Sequence, residues 1–208
     1  MNLHNYFYYF KKAIPEKICD DILKYGKSKQ EQLALTGNEE KKILNDKTIK
    51  DLKKLRNSNI VWLNDKWIYN AIHPYVHEAN RRAGWNFEWD WSESCQFTKY
   101  NKNQFYDWHK DSWEHPYNNL NDLNIHNKIR KLSVTVSLSN GSEYSGGELE
   151  FGLNHQNPDQ KTKTVILKEI KEKGSLVVFP SFLWHRVRKV TKGTRYSLVI
   201  WNLGYPYK

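Results

Sequence analysis

Within the stretch QFTKYNKNQFYDWHKD, His109 and Asp111 stand one residue apart. Side chains two positions apart on extended chain point to the same face, so the pair offers an imidazole nitrogen and a carboxylate oxygen side by side. A third ligand from another strand would complete a 2-His-1-carboxylate facial triad, the donor set of non-haem Fe(II) oxygenases. His185, in VVFPSFLWHRV, follows an apolar run and a Pro-Ser turn and is the best-placed candidate. Three ligands on one face leave three adjacent positions open on an octahedral ion, as a bidentate 2-oxo acid plus O2 requires.

An H-x-D pair alone is weak. The chain has eight histidines, and a lone histidine is more often a hydrogen-bonding surface or core residue than a ligand. Ten positions beyond His185 comes Arg195, in GTRYSLVIW, with Ser197 on the same strand face. A guanidinium on a sheet interior is costly unless an anion meets it, and a carboxylate is its natural bidentate partner. An internal Arg–Glu pair and the carboxylate of a bound acid both satisfy that need.

The elements that must position these residues follow from periodicity. Pro15 can open a helix, and Ile18, Ile22 and Tyr25 recur at helical spacing through PEKICDDILKYGKS, with acids early and lysines late. A second helix is predicted from Trp67 to Arg82, with Trp67, Ala71, Tyr75 and Ala79 at four-residue intervals. From about Cys95 the period becomes two. Leu132, Val134, Val136 and Leu138 alternate with Ser133, Thr135, Ser137 and Ser139, a strand with one apolar and one small polar face. ELEFG, TKTVILKEI, SLVVF and RYSLVIW read as further strands, with NGSEYSGG and NHQNPDQ as turns. The expectation is a single α+β domain over residues 1–208. Residues 1–94 supply helical support and first strands, and residues 95–208 a jelly roll or open barrel.

The formal charge of +10 admits anionic partners, nucleic acid among them. Lysines are nevertheless interspersed with acids, as in EEKKILNDKTIKDLKKLR, the pattern of a solvated face. Arg186, Arg188, Lys189 and Lys192 are a local basic enrichment that can line the mouth of a site. Two cysteines, Cys19 and Cys95, are too few for a disulfide framework or a four-cysteine zinc site. No run of about 18 apolar residues occurs, so a soluble cytoplasmic protein without a membrane partner is expected. Residues 112–128, rich in Asn and carrying Trp113 and Tyr117, read as a lid or as a tolerated insertion. Trp62, Trp67, Trp85, Trp89, Trp91, Trp184 and Trp201 are assigned to packing, while Trp108 and Trp113 flank the H-x-D and border a substrate groove. Gly146 and Gly147 are read as backbone requirements.

The same segments resemble the prolyl-hydroxylase-like branch of the Fe(II)/2-oxoglutarate dioxygenases. QFTKYNKNQFYDWHKD is similar to that family's stretch with a tyrosine nine residues before the first metal histidine, an aromatic three before it, and then H-x-D. RKLSVTVSLSN with YSGGELEF, and KGSLVVFPSFLWHRVRKVTKGTRYSLVIW, resemble its later strand blocks, and PEKICDDIL looks like its usual first helix. The likeness spans about Arg56 to Trp201 and is nearest to PKHD-type hydroxylases. It implies a double-stranded β-helix core with N-terminal supporting helices. It also implies His109, Asp111 and His185 as iron ligands, and Arg195 as partner of the 2-oxoglutarate C5 carboxylate. Tyr100 and Ser197 match positions that often hydrogen-bond this co-substrate. Implied with them are Fe(II), 2-oxoglutarate and O2, ascorbate as a candidate reductant, and hydroxylation of a prolyl residue in a peptide or protein with release of succinate and CO2. Collagen-type relatives usually carry lysine in place of Arg195, and hypoxia-sensing relatives a tyrosine near Ser137, so no one substrate class is singled out. Rival readings are the same chemistry on a nucleic acid or free amino acid, and a non-catalytic jelly roll holding structural zinc.

Overall fold

The structure, a computed structural model, describes residues 3–34, 53–153 and 163–207. Most of the mixed-charge run at 39–56 and the turn read at 154–160 lie outside the described residues. Its N-terminal part holds β1 (Tyr8–Phe10), α1 (Glu16–Lys27), β2 (Gln32–Leu33), β3 (Arg56–Asn57), β4 (Asn59–Leu63), α2 (Lys66–Arg82) and β5 (Trp91–Ser92). The strands β6 (Cys95–Tyr100), β7 (Phe105–His109), β8 (Ile129–Ser137), β9 (Tyr144–Gly146) and β10 (Leu149–Gly152) follow. The last are β11 (Thr164–Leu167), β12 (Leu176–Pro180), β13 (His185–Val187), β14 (Val190–Gly193) and β15 (Arg195–Gly204).

Two antiparallel sheets face each other. The larger runs β1-β12-β8-β15-β6-β4-β2, with β5 also on β15; the smaller runs β11-β10-β13-β7-β3. This is the α+β, double-stranded β-helix architecture expected from the sequence. Alternation along β8 decides which face looks where. Leu132, Val134, Val136 and Leu138 turn outward into a core with Ile22 of α1 and Ile68, Ile72 and Val76 of α2. Burying each such side chain contributes about 1.5–3 kcal/mol, which holds the helices on the sheet. Ser133, Thr135 and Ser137 turn the other way. In register with them, Ser197 lies opposite Ser137 and also opposite Thr98, and Gln96 lies opposite Val199. The inner face is thus paved with small polar groups, while Val177 and Phe179 of β12 pack there against Leu149 and Phe151 of the smaller sheet.

Helix α1 starts just after Pro15 as predicted. Helix α2 also forms, but its buried stripe is Ile68, Ile72, Val76 and Ala79, one position away from the predicted Trp67, Ala71 and Tyr75. The compact aliphatic side chains fit the sheet, and Trp67 remains 40% exposed beside them. Gly146 and Gly147 have φ of +73° and +67°. A Cβ on Gly146 would stand 2.2 Å from the Lys189 carbonyl oxygen, so close approach as well as handedness calls for glycine.

One irregularity matters for the site. The pairing of β8 with β15 shifts register between Asn202 and Leu203, where Leu132 and Arg130 are the partners and Lys131 is the extra residue. A bulge of this kind re-aims the side chains before it. Arg130 therefore lies on the inner face with Trp201, 3.9 Å from its ring centroid, although it stands two residues before the outward-facing Leu132.

Candidate active site

His109 ends β7, Asp111 follows in the next bend, and His185 opens β13 directly opposite His109 in the antiparallel ladder. One strand pair thus brings together residues 76 positions apart, and their ligand atoms all lie within 4.8 Å of one another. His109 Nε2 is 3.7 Å from Asp111 Oδ1, and His185 Nε2 is 3.5 Å from Asp111 Oδ2. Each imidazole is oriented from behind by its own chain. His109 Nδ1–H donates to the Asp107 carbonyl at 2.7 Å, and His185 Nδ1–H to the Leu183 carbonyl at 2.9 Å. With the proton on Nδ1, the Nε2 lone pairs are left to face the carboxylate, the tautomer a metal ligand needs.

Electrostatics favour the same protonation states. Burial, with the neighbouring His185, pushes the His109 pKa well below its ordinary value, so the ring is neutral. Burial alone would raise Asp111, but His185, His109 and Arg130 outweigh it and the carboxyl is held below its usual range. Two imidazole nitrogens and a carboxylate oxygen suit a borderline divalent ion such as Fe(II). Among the described residues, no fourth His, Cys, Asp or Glu joins the cluster, as closed structural zinc would require. Cys19 and Cys95 lie instead in the core beneath the helices.

Arg195 is 3% exposed on the inner face, where it pairs across the ladder with Tyr100. Its Nη1 donates to Ser197 Oγ at 3.0 Å, and its guanidinium carbon stands 5.5 Å from the Tyr100 ring centroid. Among the described residues, none of the carboxylates in ion pairs is its partner. Among the described residues, the internal Arg–Glu pair left open by the sequence is not formed. A cavity of about 10 Å³ beside it, lined by Ser137, Tyr144, Leu149 and Leu167, is about one water in size, the scale of a single carboxylate oxygen.

Other residues complete the site without having been singled out from the sequence. Tyr106 stacks on His109 with ring centroids 3.5 Å apart, and the buried Arg56 guanidinium covers the other side of Tyr106 at 4.5 Å. Arg56 donates from Nε to Ser58 Oγ at 3.1 Å, while its Nη2 has no hydrogen-bond partner. Arg130 donates to Glu93 from both Nε and Nη2 and reaches the Asp111 carbonyl at 3.4 Å. Tyr106 carried a signal in its spacing from His109. Glu93 and Arg130 carried none beyond being charged residues at the ends of apolar strands.

Two expectations change. Trp201, assigned to packing, supports Arg130, and Trp62 and Trp91 are 36% and 41% exposed. The basic enrichment is engaged only in part: Arg186 pairs with the buried Glu150 at 2.8 Å and covers Trp108 at 4.7 Å, and Arg188 approaches the same carboxylate at 3.9 Å, while Lys189 and Lys192 stay exposed. Residues 112–128 are pinned at their base. Asp111 and Ser112 N–H donate to the Ser181 carbonyl, Tyr117 exchanges backbone bonds with Lys128 and Asn127, and the Tyr117 hydroxyl donates to Glu93 at 2.9 Å.

No helix among the described residues is long and apolar enough to cross a membrane. The family model of the 2OG-Fe(II) oxygenase superfamily matches residues 95–202. PKHD-type hydroxylases from Shewanella frigidimarina and Alteromonas mediterranea are 34% identical over 110 residues and 31% identical over 106. Each match covers 50% of this chain and 41% of the relative, so the chain spans less than half the length of these relatives. A Pseudomonas putida prolyl-4-hydroxylase superimposes with a TM-score of 0.66 at 17% identity, covering 96% of this chain and 94% of that one. A Trichoplax adhaerens prolyl hydroxylase, solved with a hypoxia inducible factor oxygen degradation domain peptide fragment, superimposes with a TM-score of 0.55 at 16% identity, covering 95% and 83%. The family match, spanning the strands that carry the three clustered candidate ligands and the buried arginine, shows that the chain belongs to the 2OG-Fe(II) oxygenase superfamily, whose enzymes work with Fe(II), 2-oxoglutarate and O2.

Proposed function

We propose that the chain is a hydroxylase in which His109, Asp111 and His185 hold the iron, Arg195 takes the distal carboxylate of 2-oxoglutarate, and the target is a prolyl residue of a peptide or protein. The observation that carries the reading is the pairing of a three-ligand cluster with a buried arginine that, among the described residues, has no carboxylate partner. When bound, Fe(II) and 2-oxoglutarate supply O2 activation, inserting one oxygen atom into a C–H bond and yielding succinate and CO2.

The chain's own residues supply geometry. The Nδ1–carbonyl bonds fix both imidazoles, so no reorientation is needed when the ion arrives. Ser197 steers the Arg195 guanidinium, and Tyr100 closes one side of it. Tyr106 stacked on His109, and Phe179 edge-on to His185 at 4.7 Å, exclude water from the back of the cluster. The prolyl target is supported by the structural relatives that are prolyl hydroxylases, one of them with a peptide fragment.

Anaerobic titration with Fe(II) and then 2-oxoglutarate tests the site through the metal-to-ligand charge-transfer band that chelation produces. Aerobic incubation with proline-containing peptides, oligonucleotides and free amino acids, read by mass spectrometry for gain of one oxygen atom, tests the target. The expected result is the band, and oxygen gain on proline. Absence of the band at saturating iron overturns the site assignment, and oxygen gain confined to oligonucleotides or free amino acids overturns the prolyl target.

A further inference from the structure

A groove of about 1000 Å³ opens between α2, β5 and the segment 112–128. Aromatic rings wall it, chiefly Trp62, Trp89 and Trp91, with Tyr69 and His73 along α2 and Tyr117 opposite. Trp89 is held in place by rings on both helix turns, His77 at 4.6 Å and His73 at 5.2 Å. Three carboxylates, Asp90, Glu93 and Asp122, also line it, against one cation, Lys66. The cations balancing two of these acids sit behind the wall. Lys128 bonds Asp90 with its side chain 7% exposed against 55% for the aspartate, and Arg130 bonds Glu93 at 13% exposure. Pro74 lies inside α2 and has no N–H to donate, which frees the Asn70 carbonyl, and Asn70 lines the same groove.

Aromatic faces with carboxylate and carbonyl oxygens at their rim are the surroundings a cationic side chain prefers. A phosphate backbone meets the opposite: three acids and a single lysine, where a nucleic-acid groove would be lined by Lys and Arg. We propose that this groove is a docking subsite for an arginine or lysine side chain of the peptide substrate, flanking the residue that is hydroxylated. The proposal rests on the peptide reading given above. The Glu93–Arg130 pair links the groove to the reaction site: Glu93 lines the groove, and Arg130, which bonds it, has its Nη1 3.4 Å from the Asp111 carbonyl.

The test uses the full chain and short synthetic peptides with one proline, identical except for one flanking residue: arginine, its neutral isostere citrulline, or glutamate. Affinity is read by tryptophan fluorescence and calorimetry, and hydroxylation separately by mass gain. The arginine peptide is expected to bind about tenfold more tightly than the citrulline peptide, with the glutamate peptide weakest. Asp122→Asn, at a half-buried position, and Trp91→Ala, at an exposed one, each remove most of that advantage, with melting temperature as the check on folding. Equal affinity of the three peptides overturns the proposal, and so does oligonucleotide binding that is lost in Trp91→Ala. The two readings separate: an arginine preference without oxygen gain on any proline keeps the docking site and removes the prolyl target. Oxygen gain on proline without an arginine preference does the reverse.

Discussion

Arg130 lies flat against Trp201, its guanidinium carbon 3.9 Å from the ring centroid, while Nε donates to Glu93 Oε1 at 2.8 Å. The arginine is there because of the bulge at Lys131, and it joins three parts of the chain: the link between β5 and β6, the strand β8, and the loop after His109. A charge pair so little exposed is stabilising only while both partners are present, since removing one strands the other.

Glu93→Gln is therefore expected to lower unfolding free energy by about 2–4 kcal/mol. Arg130→Met should cost a similar amount, and the double variant Arg130→Met with Glu93→Leu should recover much of it, because no unpaired charge remains. Urea denaturation of the three variants checks this. Single variants within about 0.5 kcal/mol of the parent would mean the pair behaves as a surface contact.

His109→Ala, Asp111→Ala and His185→Ala should each abolish conversion of 2-oxoglutarate to succinate and weaken Fe(II) binding. Each removes one of only three donors. Chelation of the parent with EDTA should give the same loss, reversed by Fe(II) under anaerobic conditions. Full turnover in any one variant at saturating iron removes that residue from the ligand set.

Arg195→Ala should raise the KM for 2-oxoglutarate by the equivalent of about 2–4 kcal/mol, the scale of losing a buried charged partner, with Fe(II) affinity nearly kept. Arg195→Lys should retain part of the affinity, because an ammonium keeps the charge but not the two-pronged geometry. Calorimetry of 2-oxoglutarate binding to the iron-loaded protein measures both, and unchanged affinity in Arg195→Ala would assign the arginine to structure alone.

Both thiols should be inert in the folded chain. Burial pushes Cys95 up to about 12 and Cys19 up to about 11. At pH 8 on the order of one thiol in a thousand or fewer is then ionised, and the thiolate is the reactive form. Labelling by a thiol-disulfide reagent should be slow in buffer and complete in denaturant, and rapid labelling of either cysteine in the native protein would contradict the placement.

What was legible in the sequence depended on range. The alternation of Leu132 to Leu138 with Ser133 to Ser139 is local, and it correctly separated the helix-covered face from the inner one. Glu150, by contrast, meets Arg186 through the pairing of β10 with β13, and nothing local announces that contact. Arg130 was hidden for a sharper reason: strict alternation from Leu132 places it outward, and only the bulge turns it in. In α2 the four-residue spacing of Trp67, Ala71, Tyr75 and Ala79 is equally regular, yet of these only Ala79 joins the adjacent aliphatic stripe that takes the core.

The carbonyls that orient the two imidazoles belong to Asp107 and Leu183, in each case two residues upstream of the ring they hold. Since a main-chain oxygen is present whatever side chain is attached, no single substitution at either position deletes the acceptor. The geometry of the two nitrogen donors is in this respect buffered against mutation, whereas the Arg195–Ser197 bond, made between side chains, can be removed by one. Inherited change can thus alter the setting of the Arg195 guanidinium more readily than the aim of the two histidines, and on the proposed assignment co-substrate affinity would change before metal binding does.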